Sequence, residues 1–249
     1  MFFLTAVEEI PVIQKTWNLT DWLIVQLNAD PVFSVVLNVL GALLCMLVPY
    51  LMGSINTAVI LTKKMHGVDI RDYGNGDADV FNMLRASCQK KAVVITLLCD
   101  LVKASAAVWL GRLIWEVNGA ALAGFFVIFG HMFPIFFRFR GGKGVECLAM
   151  VVLTLSPLTF VFLLLIFAAC AVASRMVSFA AVLTALMYPL ILQAFANDGL
   201  NVAMAVLTTG FIAFAYRDNL KRMQVGEEEK IDFSKWFRRE KGKKDKNDE

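Results

Sequence analysis

The residues best placed to do chemistry lie between Gly130 and Val145, in the run GHMFPIFFRFRGGKGV. Gly141, Gly142 and Gly144 carry no Cβ, so their backbone N–H groups can approach an oxyanion closely. Lys143 among them adds a compact positive charge, and His131 stands at the far end of the stretch. Such a turn between apolar segments suits a phosphate held at a membrane surface. A charged loop between two helices has the same look, so the reading depends on what else reaches that face.

The elements that must carry this turn are membrane helices. Of 249 residues, 58% are hydrophobic and 18% charged, and mean hydropathy is +0.65. Soluble domains hold about 45–50% apolar and about 25% charged residues. Several apolar runs reach the roughly 20 residues that span a bilayer core. Two histidines exclude a histidine-rich metal centre, and five cysteines without paired spacing read as packing residues. Residues 1–31 form an N-terminal segment, with Trp17 and Trp22 in a short interfacial helix. The first span runs from about Val32 to Leu61 and should kink or break near Pro49, Gly53, Ser54 and Asn56. A second span, 92–115, pairs Asp100 with Lys103, and Asn118-Gly119 is expected to turn the chain into a third, 120–137.

Basic residues fix the orientation, since Lys and Arg gather in cytoplasmic loops. Residues 63–91 hold six, Arg138, Arg140 and Lys143 mark a second loop, and the terminus from Arg217 holds eleven. All three segments are expected in the cytoplasm, with the N-terminus outside. An even number of crossings must then separate Lys143 from Arg217, yet three apolar blocks lie there, about 145–173, 177–194 and 201–215. Splitting the first block at Ser156-Pro157 into a hairpin restores parity. It returns Arg175 and Ser178 to the cytoplasm and leaves Asn197-Asp198-Gly199 outside. The expectation is an all-α integral membrane protein of about seven transmembrane helices over residues 32–216, with 217–249 a basic cytoplasmic terminus.

Three further segments should meet the glycine-lysine turn. They are Gly53-Ser54-Ile55 with Asp69-Ile70-Arg71 and GNGDADVFNMLR (74–85); Ser174-Arg175-Met176-Val177-Ser178; and Arg217-Asp218-Asn219 followed by Gly226, Glu228 and Lys230. Guanidinium forks, amides, hydroxyls and glycines at one boundary make a good oxyanion site.

In this order the segments resemble the bacterial acyl-phosphate-dependent glycerol-3-phosphate acyltransferase family. That family shows Gly-Ser-Ile-Pro, Asp-Ile-Arg, a Gly-Ser-Gly-Asn-x-Gly-Ala-Thr-Asn-x-x-Arg loop and Gly-His-x-Phe-Pro leading to Gly-Gly-Lys-Gly. Thr-Arg-x-x-Ser, His-Arg-x-Asn and Gly-Thr-Glu follow. The resemblance covers about residues 45–230 and implies the seven-helix topology as well. It implies transfer of a fatty acyl group from acyl phosphate to sn-glycerol 3-phosphate, without coenzyme A, metal or other cofactor, at the cytoplasmic face of a bacterial inner membrane. His131, Lys143, Ser178 and Asn219 then fall at catalytic positions. Ser54, Arg71, Gly76, Asn82, Arg85, Gly141, Gly142, Gly144, Arg175 and Arg217 fall at substrate-binding ones. The acceptor's proton goes either to His131 or to a substrate phosphate oxygen. Partners would be these substrates and membrane lipid, with no nucleic acid, and the protein a monomer.

The departures are specific. Asn56 replaces the proline, Tyr216 the last motif's histidine and Glu227 its threonine. Asn75, Asp77, Asp79, Val80 and Phe81 stand where Ser, Asn, Gly, Ala and Thr are usual. Carboxylates in a phosphate loop repel the ligand unless they turn outward or pair with cations. They keep two alternatives open: a relative using another phosphorylated acceptor, and a non-catalytic organophosphate transporter or binding protein.

Overall fold

The computed structural model describes residues 18–230 except 87, 197 and 229. The expectations for Trp17, Asn197 and the basic terminus beyond 230 lie outside the described residues. The described chain is helical throughout. It comprises α1 (Leu19–Gln26), α2 (Pro31–Gly53), α3 (Thr57–His66), α4 (Val80–Arg85), α5 (Lys90–Met132), α6 (Val145–Leu155), α7 (Pro157–Ser174), α8 (Val177–Phe195), α9 (Gly199–Ala215) and α10 (Arg217–Gln224).

The first span breaks where its polar residues predict. α2 ends at Gly53, and Asn56 caps α3 by accepting the Val59 N–H at 3.0 Å. Gly53 lies against the second arm of α5, where a Cβ would meet the Val127 carbonyl at 2.1 Å.

α5 is a hairpin of two arms, 90–114 and 117–132. The chain reverses at Trp115 and Glu116, the latter at φ 47°. This corrects the expected turn at Asn118-Gly119, which sits inside the second arm. Gly119 serves contact instead: a Cβ there would meet the Gly111 carbonyl at 2.1 Å, and one on Gly111 the Gly119 carbonyl at 2.3 Å. Glycines facing each other across a hairpin bring the arms close enough to pack backbone on backbone.

The predicted break at Ser156-Pro157 is present. Ser156 is extended, Pro157 has no N–H to continue a helix, and the Ser156 hydroxyl caps α7. α6 runs back along the second arm of α5: Gly144 lies beside Met132 and Ile128, and Val151 beside Gly124. Ser156 therefore reaches the end that holds Arg112, Val117, Asp198 and Asn201, with which it lines one cavity. α7 returns, and Ser178 at the start of α8 meets Asn219 of α10. α6 and α7 thus form the expected hairpin. α6 has 11 residues, or ~16 Å of rise, about half a bilayer core.

The core lies between the second arm of α5, α6, α8 and α9, built from Val127, Ile128, Val151, Val152, Ala181, Leu192 and Ile212. α2 and α7 present Val35, Val39, Leu43, Leu164 and Leu165 outward. Exposed aliphatic faces of this kind are what lipid-facing helices carry.

Candidate active site

All the polar motifs gather at the end opposite Arg112 and Ser156. A cavity of about 280 Å³ opens there, lined by Gly76, Asp77, Arg140, Gly141, Gly142, Lys143 and Arg217 among others. The cavity at the far end, about 250 Å³, has Arg112 as its lysine or arginine and no glycine turn. The first is the site the chemistry requires.

The glycine turn is built by close approach. After Pro134 a short 3-10 turn (Ile135–Phe137) and two left-handed residues, Arg138 and Phe139, swing the chain back under α5. Gly141 and Gly142 donate to the carbonyls of Met132 (3.2 Å) and His131 (3.3 Å). A Cβ on Gly141 would meet the His131 carbonyl oxygen at 2.1 Å, and one on Gly142 the His131 Nε2 at 2.7 Å. Their N–H groups are therefore spent inside the turn, contrary to the sequence reading of them as anion donors. Gly144, at φ 80°, starts α6 in the left-handed region that glycine adopts freely. What the turn offers the cavity is Lys143. Its ammonium pairs with Asp77 at 2.5 Å and lies 4.9 Å from the centre of the Tyr216 ring.

Both carboxylates among the departures in the preceding loop are thereby placed, and neither turns outward. Asp77 is the counter-ion of Lys143. Asp79 is buried and caps α4 through the Asn82 N–H at 2.8 Å. Burial, with Glu146 and then Asp77 adding like charge, pushes Asp79 up to about 7.

Asn82 and Arg71 hold the loop together. The Asn82 amide donates to the carbonyls of Ile70 (3.2 Å), Tyr73 (3.0 Å) and Asp77 (2.7 Å), and its oxygen accepts the Asn75 N–H. Arg71 forks onto Asp69 and reaches the Phe137 carbonyl at 2.8 Å, joining this loop to the glycine stretch. Those bonds from Arg71 hold Asp69 well below the usual carboxylate range. Gly76, at φ 82°, lines the cavity, and Arg85 stands in the last turn of α4. The Ser54 hydroxyl donates to the Tyr50 carbonyl at 2.9 Å and accepts the Ile135 N–H. Arg175 is exposed at the end of α7, and Arg217 lies on the cavity rim.

Ser178 and Asn219 form a separate cluster. Both donate to Glu228 Oε1, at 2.5 and 2.8 Å, and Arg222 donates to Oε2 at 3.2 Å. Burial alone would raise the Glu228 carboxyl, but these donors outweigh it and hold the group below its ordinary value.

His131 and its neighbours were only partly legible. The ring is buried between Lys103, at 3.3 Å from Nδ1, and Glu146, at 3.4 Å from Nε2. Glu146 was missed altogether, because a glutamate at the start of an apolar helix reads as an ordinary first-turn residue. Lys103 pairs with Asp100 at 2.7 Å, as their spacing predicted.

Comparison with known proteins bears directly on this arrangement. A family model described as glycerol-3-phosphate acyltransferase matches residues 43–226. The glycerol-3-phosphate acyltransferase of Thermoanaerobacter pseudethanolicus is 35% identical over 190 residues, 76% of this chain and 96% of its own. That of Rhizobium etli is also 35% identical over 190 residues, covering 76% of this chain and 91% of its own. The crystal structure of PlsY (YgiH), an integral membrane glycerol 3-phosphate acyltransferase, in its glycerol 3-phosphate form, superposes with a TM-score of 0.73. Identity there is 27%, over 79% of this chain and 98% of that one. The lysophosphatidic acid form of PlsY gives 0.69, with 28% identity over 77% and 95%.

Proposed function

This chain belongs to the glycerol-3-phosphate acyltransferase family, and from that premise we propose how its own residues carry out the reaction. It is a membrane acyltransferase that acylates sn-glycerol 3-phosphate to lysophosphatidic acid. We propose that the donor is a fatty acyl phosphate, whose chain lies among the helices while its phosphate reaches Lys143. The observation that carries this is Lys143 itself, a nearly buried ammonium on the wall of a polar cavity that Phe133 and Phe214 also line.

The acceptor 1-hydroxyl attacks the acyl carbonyl, the carbonyl–phosphate C–O bond breaks, and inorganic phosphate departs with the electron pair. A mixed anhydride is already activated, so positioning and stabilisation of the departing charge suffice. Lys143 meets that charge. Arg140 and Arg217 on the rim suit the acceptor phosphate, while Asn82 and Arg71 act by holding the loop. For Lys143 to meet a phosphate, Asp77 must give it up. Asp77 replaces a neutral residue of the family pattern, so this chain carries a counter-ion where its relatives' pattern carries none.

Seven crossings, an external N-terminus and a cytoplasmic site at the inner membrane of a bacterium complete the proposal. The clustering of basic loops at the cavity end supports it. The test uses purified protein with palmitoyl phosphate and glycerol 3-phosphate, following phosphate and lysophosphatidic acid in equal amounts. Comparable turnover with acyl-coenzyme A would overturn the donor assignment. A cysteine at the exposed position 230 that reacts with impermeant reagent only from outside would overturn the orientation.

A further inference from the structure

Glu146 belongs to none of the motifs, yet it is buried directly behind the glycine-lysine turn. Neither of its carboxylate oxygens makes a shorter hydrogen bond among the described residues, and neither does His131 Nε2, which faces Oε1 at 3.4 Å. The other ring nitrogen fixes what Nε2 carries. Lys103 Nζ has three acceptors around it: Asp100 Oδ1 at 2.7 Å, the Ile55 carbonyl at 3.0 Å and His131 Nδ1 at 3.3 Å. An ammonium has three N–H bonds and no lone pair, so Nδ1 must accept. The proton of the neutral imidazole then sits on Nε2 and points at Glu146.

We propose that Glu146 is a positioning residue for the acyl transfer: it accepts the Nε2 proton of His131 and completes a buried chain, Asp100–Lys103–His131–Glu146, that sets the glycine turn beneath Lys143. The proposal rests on the acyltransferase reading for its kinetic consequence only. The chain clamps three elements at one point: the first arm of α5 through Lys103, the second through His131, and the start of α6 through Glu146. His131 also supplies the carbonyl that holds Gly142, whose missing Cβ leaves room for the ring. Tilting the ring would therefore displace the turn and the lysine that follows it. With Nδ1 facing an ammonium and Nε2 carrying a proton, His131 has no lone pair for an acceptor hydroxyl, so of the two proton destinations left open by the sequence it is the one removed.

The chain contains two histidines, which makes the test direct. Protein with ¹⁵N-labelled histidine side chains, in detergent at neutral pH, should show His131 protonated at Nε2 and not at Nδ1, with His66→Asn assigning the signals. Lys103→Met should leave a proton on Nε2, held there by the Glu146 carboxylate, and a ring that loses it would overturn the proposal. Glu146→Gln keeps an acceptor and should retain the Nε2–H form with kcat within about threefold, whereas Glu146→Leu should lower kcat about tenfold or more while the glycerol 3-phosphate KM moves less. A wild-type ring protonated at Nδ1, or at both nitrogens, would overturn the proposal. So would full activity in Glu146→Leu, or equal damage in Glu146→Gln. If Glu146→Leu fails to fold, the wild-type and Lys103→Met ring signals still decide. A chain inactive on both substrates would sink the functional reading and leave those signals to judge the positioning claim separately.

Discussion

Two clusters at the same end of the helix bundle are made of the same kinds of residue and behave differently. Around Glu228 three donors, Ser178, Asn219 and Arg222, converge on one carboxylate and pull it below its ordinary pKa. Around Lys143 the balance is reversed. One ammonium faces Asp77, with Asp79 and Glu146 buried nearby, and burial together with those charges pushes Asp79 up to about 7. In the Glu228 cluster the Ser178 hydroxyl, the Asn219 amide and the Arg222 Nε–H are spent on one buried carboxylate. The Lys143 cluster lines a cavity, and its cation is paired with the partly exposed Asp77 carboxylate. Polar residues at a membrane boundary thus divide by whether their partners are already inside the protein.

The sharpest way to break this comparison is Lys143→Met. If Lys143 meets the leaving phosphate as proposed, its loss should lower kcat about 10²-fold or more. The thermal midpoint should change little, because the partner Asp77 is free to turn to water. A loss confined to KM would place Lys143 in ground-state binding instead.

Asn219→Leu tests the Glu228 cluster. It leaves a buried carboxylate one donor short, which should cost about 1–3 kcal/mol of stability in detergent unfolding. An unchanged midpoint with a large fall in kcat would move Asn219 into the chemistry and erase the distinction.

Asp79 should give the Lys143 cluster its own pH signature. Its carboxyl titrates near its ordinary 3.8 when unfolded and at about 7 when folded, so stability falls as pH rises between those values. Asparagine caps a helix equally well, so Asp79→Asn should flatten that slope. The variant should gain stability over wild type at pH 8 and show no gain near pH 4. Glu228, held low, contributes the opposite dependence, its stabilisation being lost as pH falls through the folded value. An Asp79→Asn profile parallel to wild type would mean the carboxyl is ionised throughout.

Asp77→Asn should have the smallest effect. It removes a competitor from Lys143, a partly exposed pair worth about 1 kcal/mol, so the donor KM should fall by roughly fivefold. A rise in KM would show that Asp77 itself holds a substrate.

Much of this protein is decided by local sequence. Composition makes it a membrane protein, and lysine and arginine placement gathers the three basic loops at one end. Ser156-Pro157 breaks an apolar block because proline has no N–H and fits only the first turn of the helix it begins. Asp100 and Lys103 pair because residues three apart share a helical face. Other features depended on contacts between distant segments. Gly119 reads as a turn residue, and only its approach to Gly111 moves the reversal to Trp115–Glu116. Gly141 and Gly142 read as anion donors until the second arm of α5 takes their N–H groups. Asp77 and Asp79 carry the same charge two residues apart, yet one meets Lys143 while the other is sealed behind Gly142. Glu146 acquires its meaning only where His131 and Lys103 arrive beside it. A residue's type sets which hydrogen bonds it can make, but whether a donor remains for substrate depends on which other segments reach it first, and packing alone determines that.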